Sequence, residues 1–430
     1  MIYFKNVTFQ ANTANLIAMF QKKLIGLDLL RFITAIIMVM YHIQPLLTES
    51  FIKNLEYNGF YGTSLFFILS GFILTHVYKT KITQNRFSNT DFLIKRLSAL
   101  YPIHIFTLLI ALFFTLIIIF SQSKNSSNFM EFGIQTLPGI ISDEKINLSV
   151  RDFSTYIIES IFLIQAWDFR FLALNGAAWS ISALFFFYLF FKISVKKISI
   201  YKNYFLILIC TWIIYLTIPI LFTFSQHFSS DTIGFIHRNP LLRLPEFISG
   251  IILYFIYLDK NNLIKKYRYI LGAIGLSGFI VMAILVKSSP EKWFLVSHNG
   301  LFLFTQLALI CFFINTSISN FQLASLFQRL GKASLSIYML HLPLLNIYFI
   351  IHKMFIGFIN ADTISEIIPL AKEVKNLNSF SAILFLFILI PVSLFIQNKL
   401  FTPLQSKISQ KLISARHNYK NRNLNMSSKE

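Results

Sequence analysis

Three polar residues interrupt a stretch otherwise suited to lipid. The stretch is GLDLLRFITAIIMVMYH, residues 26–42, and it holds Asp28, Arg31 and His42. A charged group inside a membrane helix costs about 2.5–3.5 kcal/mol on insertion scales, so such groups face a protein interior or a wet cavity. Asp28 and Arg31 are three residues apart and can pair on one helix face. His42 lies eleven residues beyond Arg31. That is about three turns and about 16 Å of rise, which returns His42 to nearly the same face. One face thus offers a cation for an anionic group and, further along, an imidazole. The unperturbed imidazole pKa of about 6.5 suits proton transfer at neutral pH. The residues alone leave plainer readings open. Arg31 can snorkel to headgroups with Asp28 beside it, and His42 can be an interior histidine with its hydrogen bonds met.

Further polar marks fall in other apolar runs. FYGTSLFFILSGFILTH (60–76) sets Ser70 among small residues that permit close helix packing. KRLSALYPIH (95–104) puts Lys95, Arg96 and Tyr101 at the start of a span. Its two cations serve either as topology anchors or as a clamp for a phosphorylated ligand. NGAAWSISALFFFY (175–188) carries Trp179 and Ser180, and a tryptophan there also suits an interfacial belt. RLPEFISG (243–250) spaces Arg243 and Glu246 as an i, i+3 pair, an interfacial ion pair in the simplest reading. LGKASLSIYMLHLPLL (330–345) brings Ser334, Ser336, Tyr338 and His341 into a span, the histidine reading most simply as a hydrogen-bonded core residue.

The chain that must position these groups has 430 residues, 55% hydrophobic and 13% charged, with mean hydropathy +0.64. A soluble domain of that length cannot hide so much apolar surface, and a bilayer crossing needs about 20 apolar residues. The fold class is therefore an all-α, polytopic membrane helical bundle. Ten spans are expected, at 24–43, 59–78, 98–120, 174–192, 203–224, 240–257, 269–287, 298–316, 333–356 and 380–400. The tract 153–167 is apolar but short and holds Glu159, so it reads as an interfacial or re-entrant helix. Basic residues gather in alternate loops, at 79–97, 193–202 and 258–268 and from 401 onward, whereas 121–173 has two more acidic than basic residues. The positive-inside rule then places both termini in the cytoplasm. It also assigns the net charge of +20 to topology and lipid headgroups rather than nucleic acid.

The expected organisation is a cytoplasmic segment 1–23, an integral domain 24–400 with an external loop at 121–173, and a basic cytoplasmic tail 401–430 without fixed structure. Residues 1–23 lack a secretory signal, so the first span is expected to direct insertion. Cys210 and Cys311 sit in apolar runs and read as packing residues. No metal-ligand spacing, phosphate-binding glycine loop or G-x-S-x-G elbow occurs, so no metal is expected.

Taken in order, these stretches resemble acyltransferase family 3, membrane proteins that O-acylate cell-surface sugars. GLDLLRFITA with His42 resembles the family's opening helix, marked by an arginine and a histidine eleven positions apart. GFYGTSLFFILSGFIL (59–74) resembles its G-x-x-G-x-x-x-F-F-x-x-S-G-F segment, and FLIKRLSALYP (92–102) its basic start of helix three. NGAAWSISALFFFYLFF (175–191), RLPEFISG and LGKASLSIYMLHLPLL resemble three later landmarks. The likeness runs from about 24 to 400. Arg31, His42, Arg96, Trp179 and Glu246 match, and Ser70, Tyr101, Ser180 and His341 lie within the matching landmarks. Two positions depart: Ala99 stands where the family usually has a second arginine, and Leu184 where its W-S-x-S-x-E pattern ends in glutamate. Either the acceptor differs, another group substitutes, or activity is altered.

The resemblance implies an acyl-CoA donor, usually acetyl-CoA, on the cytoplasmic side of a bacterial inner membrane. It implies a hydroxyl acceptor on an envelope polysaccharide, lipopolysaccharide or other glycolipid. Arg31, Lys95 and Arg96 would hold the anionic part of CoA. His42 would act as general base, or as a nucleophile through an acyl-histidine. Two rival classes stand beside this enzyme: a polytopic transporter or flippase, and a catalytically silent scaffold of the same fold. Transporters often show paired repeats and broken helices, and neither is evident in the sequence.

Overall fold

A computed structural model describes residues 24–48, 58–122, 131–133, 145–147, 149–170, 172–224, 230–288 and 294–427. The expected segment 1–23 lies outside them, as does most of 121–148. The first span is α1, Ile25–Ile43, one unbroken helix, so Arg31 and His42 do share a rod. It is followed by α2 (Gly59–Thr83) and α3 (Asn89–Gln122). A two-stranded ribbon follows, Glu131–Gly133 antiparallel to Lys145–Asn147, and then α4 (Val150–Ile161). Next come α5 (Trp179–Ile198), α6 (Tyr204–Phe224), α7 (Ser230–Arg238), α8 (Pro240–Lys266) and α9 (Arg268–Ser288). The chain ends through α10 (Leu303–Ile314), α11 (Phe321–Asn360), α12 (Ile367–Glu373), α13 (Ser379–Ile396) and α14 (Thr402–Ser427).

Among the described residues, nine helices are long and apolar enough to cross a membrane, or up to ten if a bent pair counts as one. The chain is thus an all-α multi-pass bundle. The bent pair, Phe294–Leu301 with Leu303–Ile314, turns by 45° and supplies the span expected at 298–316. A broken helix is therefore present although the sequence showed none. Local chemistry explains many of the ends. Asn239, Asn320 and Asn378 cap α8, α11 and α13 through side-chain oxygens that accept from Leu241, Leu323 and Ser381 N–H groups. Inside spans, Thr34, Ser70 and Thr75 return their hydroxyls to the carbonyls of Leu30, Phe66 and Gly71, which hides the polar atom from lipid.

Small residues set the closest approaches. A Cβ on Gly71 would lie 2.1 Å from the Phe247 carbonyl oxygen, and one on Gly250 would lie 2.0 Å from that of Ile68. Only hydrogens let α2 and α8 come so near. Gly331 of α11 does the same against α1, where an added Cβ would fall 2.6 Å from Asp28 Cβ.

α4 is 12 residues long, too short to cross. Its last carbonyls, those of Ser160 and Ile161, accept from His104 Nε2 at 2.7 Å and Tyr101 Oη at 2.9 Å, near the middle of α3. The end of α4 is thus held against α3. The stretch from 401, expected to lack fixed structure, forms α14. Gln405 donates to the Ala99 carbonyl at 2.8 Å, and Arg416 bonds Ser88 at 3.0 Å and pairs with Asp91, so α14 is strapped to α3.

Candidate active site

α1 and α11 meet at two levels. Asp28 abuts Gly331 near one end. At the other, His42 Nδ1 lies 3.1 Å from His341 Nε2. His42 Nδ1 is also 2.8 Å from the Met38 carbonyl, and His341 Nδ1 bonds the Tyr338 carbonyl. His341 is wholly buried, whereas His42 keeps partial exposure. Tyr338 is held in turn: its hydroxyl donates to the Ala177 carbonyl at 3.1 Å and accepts from Ser180 Oγ at 3.2 Å. Asn175 Nδ2 donates to the Met339 carbonyl at 2.9 Å. The 175–180 landmark therefore braces the helix that carries His341.

Further toward the Asp28 level lies a cavity of about 210 Å³. Arg31, Arg96 and Lys332 line it, together with Ser70, Tyr188, Gln397 and Gln405 and a wall of Phe66, Leu69, Ala99, Leu100, Leu184 and Leu335. No carboxylate lines it among the described residues. Arg31 pairs with Asp28 at 3.5 Å, both side chains about a quarter exposed. Arg96 is aimed by a 3.2 Å bond to Tyr78 Oη and by the rings of Tyr78 and Phe92. At its inner end Phe66 stacks on Tyr338, which in turn faces His341. Two aromatic rings thus link the cavity wall to the histidine pair.

The expected site residues divide accordingly. The structure brings Arg31, Arg96 and Ser70 together in the cavity, and His42, His341 and Ser180 around Tyr338. Lys95 points elsewhere: it is exposed and lines no part of the cavity. Adjacent helical residues stand about 100° apart, so one of the two cations had to turn away. Lys332 takes the third place. It was overlooked in the LGKAS landmark, where its charge was the available signal. Tyr101 is not in the site, because its hydroxyl holds α4.

Trp179 and Glu246 belong to a second buried cluster. Trp179 packs edge-on against His237, with ring centroids 4.7 Å apart, and Arg243 lies over its other surroundings at 6.0 Å from the ring centroid. The Arg243–Glu246 pair is not interfacial: its side chains are 0% and 1% exposed, at 3.1 Å. Arg243 also donates to the His298 carbonyl at 2.7 Å, Asn299 Oδ1 at 2.8 Å and Ser64 Oγ at 3.0 Å. Tyr215 Oη donates to Glu246 at 2.7 Å, and Trp212 Nε1 to the Gly300 carbonyl at 2.9 Å. Those carbonyls are freed by the break at Ser297–Leu301, where Gly300 has φ +102°. Buried orphan carbonyls need donors, and Arg243 and Trp212 supply them. His237 and His298 were missed as members of this layer, because their flanking runs gave no periodic signal.

A family model described as an acyltransferase domain matches residues 24–397. The O-acetyltransferase OatA of Staphylococcus aureus (strain NCTC 8325 / PS 47) is 24% identical over 344 residues, covering 74% of this chain and 50% of the relative. A putative O-acetyltransferase of Staphylococcus aureus (strain COL) is 24% identical over 348 residues, covering 75% and 50%. The chain spans about half the length of the curated relatives it matches. No solved structure matches. Both departures from the family pattern, Ala99 and Leu184, line the same cavity as Arg31 and Arg96. With its helical bundle, its ordered landmarks and a domain match from 24 to 397, this chain belongs to acyltransferase family 3, the multi-pass membrane acyltransferases.

Proposed function

We propose that this protein is a membrane O-acyltransferase that moves an acyl group, acetyl in the simplest case, from acyl-CoA to a hydroxyl of an envelope glycan or glycolipid. The observation that carries this reading is the arrangement on α1. Arg31 opens into a cavity with two further cations and, among the described residues, no lining carboxylate, and His42 stands about 16 Å along the same helix. CoA is polyanionic at its nucleotide end and thin along its pantetheine arm. Guanidinium groups bind phosphate through paired hydrogen bonds, and an ammonium adds a point charge. Arg31, Arg96 and Lys332 are the residues for that end, and the apolar wall suits the arm. His42 then accepts the hydroxyl proton as the oxygen attacks the acyl carbon.

In this reading the cavity end and both termini face the cytoplasm of a bacterial inner membrane, in accord with the basic loops, and the glycan approaches from the opposite face. The broken helix gives the transporter reading its one specific support. However, the carbonyls at the break are occupied by Arg243 and Trp212, so they do not offer a ligand site.

The test uses purified protein with acetyl-labelled acetyl-CoA and extracted envelope glycan. Label should pass to glycan with wild-type protein and fall at least about a hundredfold with His42→Ala. Undiminished transfer in that variant, or movement of glycan across vesicles without acylation, overturns the proposal.

A further inference from the structure

We infer that His341 is a positioning residue that fixes the tautomer of His42 and leaves His42 Nε2 as the bare, proton-accepting nitrogen. This rests on the acyltransferase reading above. The argument is a matter of matching donors to acceptors. A carbonyl oxygen only accepts, and His42 Nδ1 lies 2.8 Å from the Met38 carbonyl, so His42 Nδ1 carries hydrogen. His341 Nδ1 lies against the Tyr338 carbonyl, so it carries hydrogen for the same reason. A neutral imidazole has one N–H and one lone pair. His341 Nε2 is therefore a lone pair, and it faces His42 Nδ1 at 3.1 Å. The Nδ1 hydrogen of His42 is shared between Met38 and His341. Any other neutral assignment sets two hydrogens or two lone pairs against each other.

The surroundings reinforce that assignment. His341 is 0% exposed, and its ring packs at a tilt, centroids 5.6 Å apart, against Tyr338, whose hydroxyl is anchored at Ala177 and Ser180. It cannot turn to present its other nitrogen without breaking the Tyr338 contact. His42 Nε2 has no hydrogen bond within the protein among the described residues, and the residue keeps partial exposure where His341 has none.

The chemical role follows. The acceptor O–H bond breaks and its proton bonds to His42 Nε2. The freed oxygen pair forms the new bond to the acyl carbon, and the carbon–sulfur bond breaks to release CoA thiolate, which takes the proton back from Nε2. While His42 is an imidazolium, His341 Nε2 accepts its Nδ1–H. A backbone carbonyl alone orients the ring more weakly than two acceptors do. A misplaced tautomer would offer the acyl carbon's attacker an N–H in place of a lone pair.

Two measurements test this. The first is 15N NMR of histidine-labelled full-length protein in nanodiscs, with the His42 signals identified by their loss in His42→Gln. Expected are a bare Nε2 and a protonated Nδ1; the opposite pattern overturns the inference whatever the activity. The second is CoA release from acetyl-CoA. His341→Leu, which removes the acceptor, should lower kcat about a hundredfold or more with donor KM within about threefold. His341→Gln places an amide oxygen near the lost Nε2 and should recover to within about tenfold of wild type. Equal loss in Leu and Gln variants of matching melting temperature points to packing alone and overturns it. The expected tautomer in a protein that transfers no acyl group would leave the histidine pair standing and sink the acyltransferase reading.

Discussion

Ala99 of α3 and Leu184 of α5 face into one cavity although 85 positions separate them. The resemblance to the family implies an arginine at one and a glutamate at the other, so the two departures together would remove one charge of each sign. Leu184 is 1% exposed, so a carboxylate there would be desolvated, and Arg31, Arg96 and Lys332 across the cavity would offset only part of that cost. Leu184→Glu alone should destabilise by about 1–3 kcal/mol. Ala99→Arg with Leu184→Glu should recover much of that, read as melting temperature in detergent. Additive losses in the double variant would show that the two sites do not communicate.

Lys332 and Lys95 make a matched pair for testing the cavity's cations. Lys332 lines the cavity and Lys95 does not. Lys332→Gln should raise the KM for acetyl-CoA about three- to tenfold, an effect that fades as salt screens the charge. Lys95→Gln should change it by less than about twofold. Equal effects would mean that the cations act only through the general surface field.

Arg243 is the cation of the buried pair with Glu246 and a donor to the broken helix. Arg243→Leu leaves Glu246 buried without its partner and frees the His298 carbonyl. About 3–5 kcal/mol of destabilisation is expected. Glu246→Gln keeps an acceptor for Tyr215 and should cost less. Thermal unfolding that ranks the two variants the other way round would contradict the capping role.

The α4 segment has opposing titrations outside the spans. The Ser149 hydroxyl, and then the Arg170 guanidinium, hold the Asp152 carboxyl below its ordinary range. A lowered folded pKa contributes stability that is full above the unfolded value of about 3.8 and is lost as pH falls through the lowered one. Burial, with Asp168 nearby, raises Glu159, and its Oε2 is buried without a hydrogen-bond partner. A raised carboxyl favours folding below the unfolded value of about 4.5 and loses that contribution as pH rises through the raised one. Hydrogen exchange across residues 150–170, corrected for intrinsic rates, should therefore show most protection near pH 4–4.5. Glu159→Gln should flatten the loss toward neutral pH, and no change at pH 7 in that variant would contradict this assignment.

Much of this molecule is visible in its residues, and what is hidden has physical causes. Hydropathy located the spans because lipid demands about 20 apolar residues. It could not see how far a helix runs past the lipid: α11 starts at Phe321 rather than 333, and α14 continues where a loose tail was expected. Past the lipid, helical continuation rests on capping and packing, here Asn320 and the straps to Asp91 and Ala99. The break at Ser297–Leu301 was hidden because its satisfying groups, Arg243 and Trp212, come from other helices. The spacing of Arg31 and His42 was legible because a single helix carries both. The partnership of His42 with His341 was not, because 299 positions separate them.

α1 carries both the cavity's arginine and the basic imidazole on one continuous rod. That makes their separation a quantised property. Inserting one residue between Arg31 and His42 would lengthen the gap by only about 1.5 Å but swing His42 about 100° away from His341. The next insertion that restores the facing adds three or four residues and about 5 Å. A relative that works on a donor with a longer reach therefore cannot adjust this helix gradually. It must add a whole turn, or change the donor's footing at the cavity and leave the rod alone.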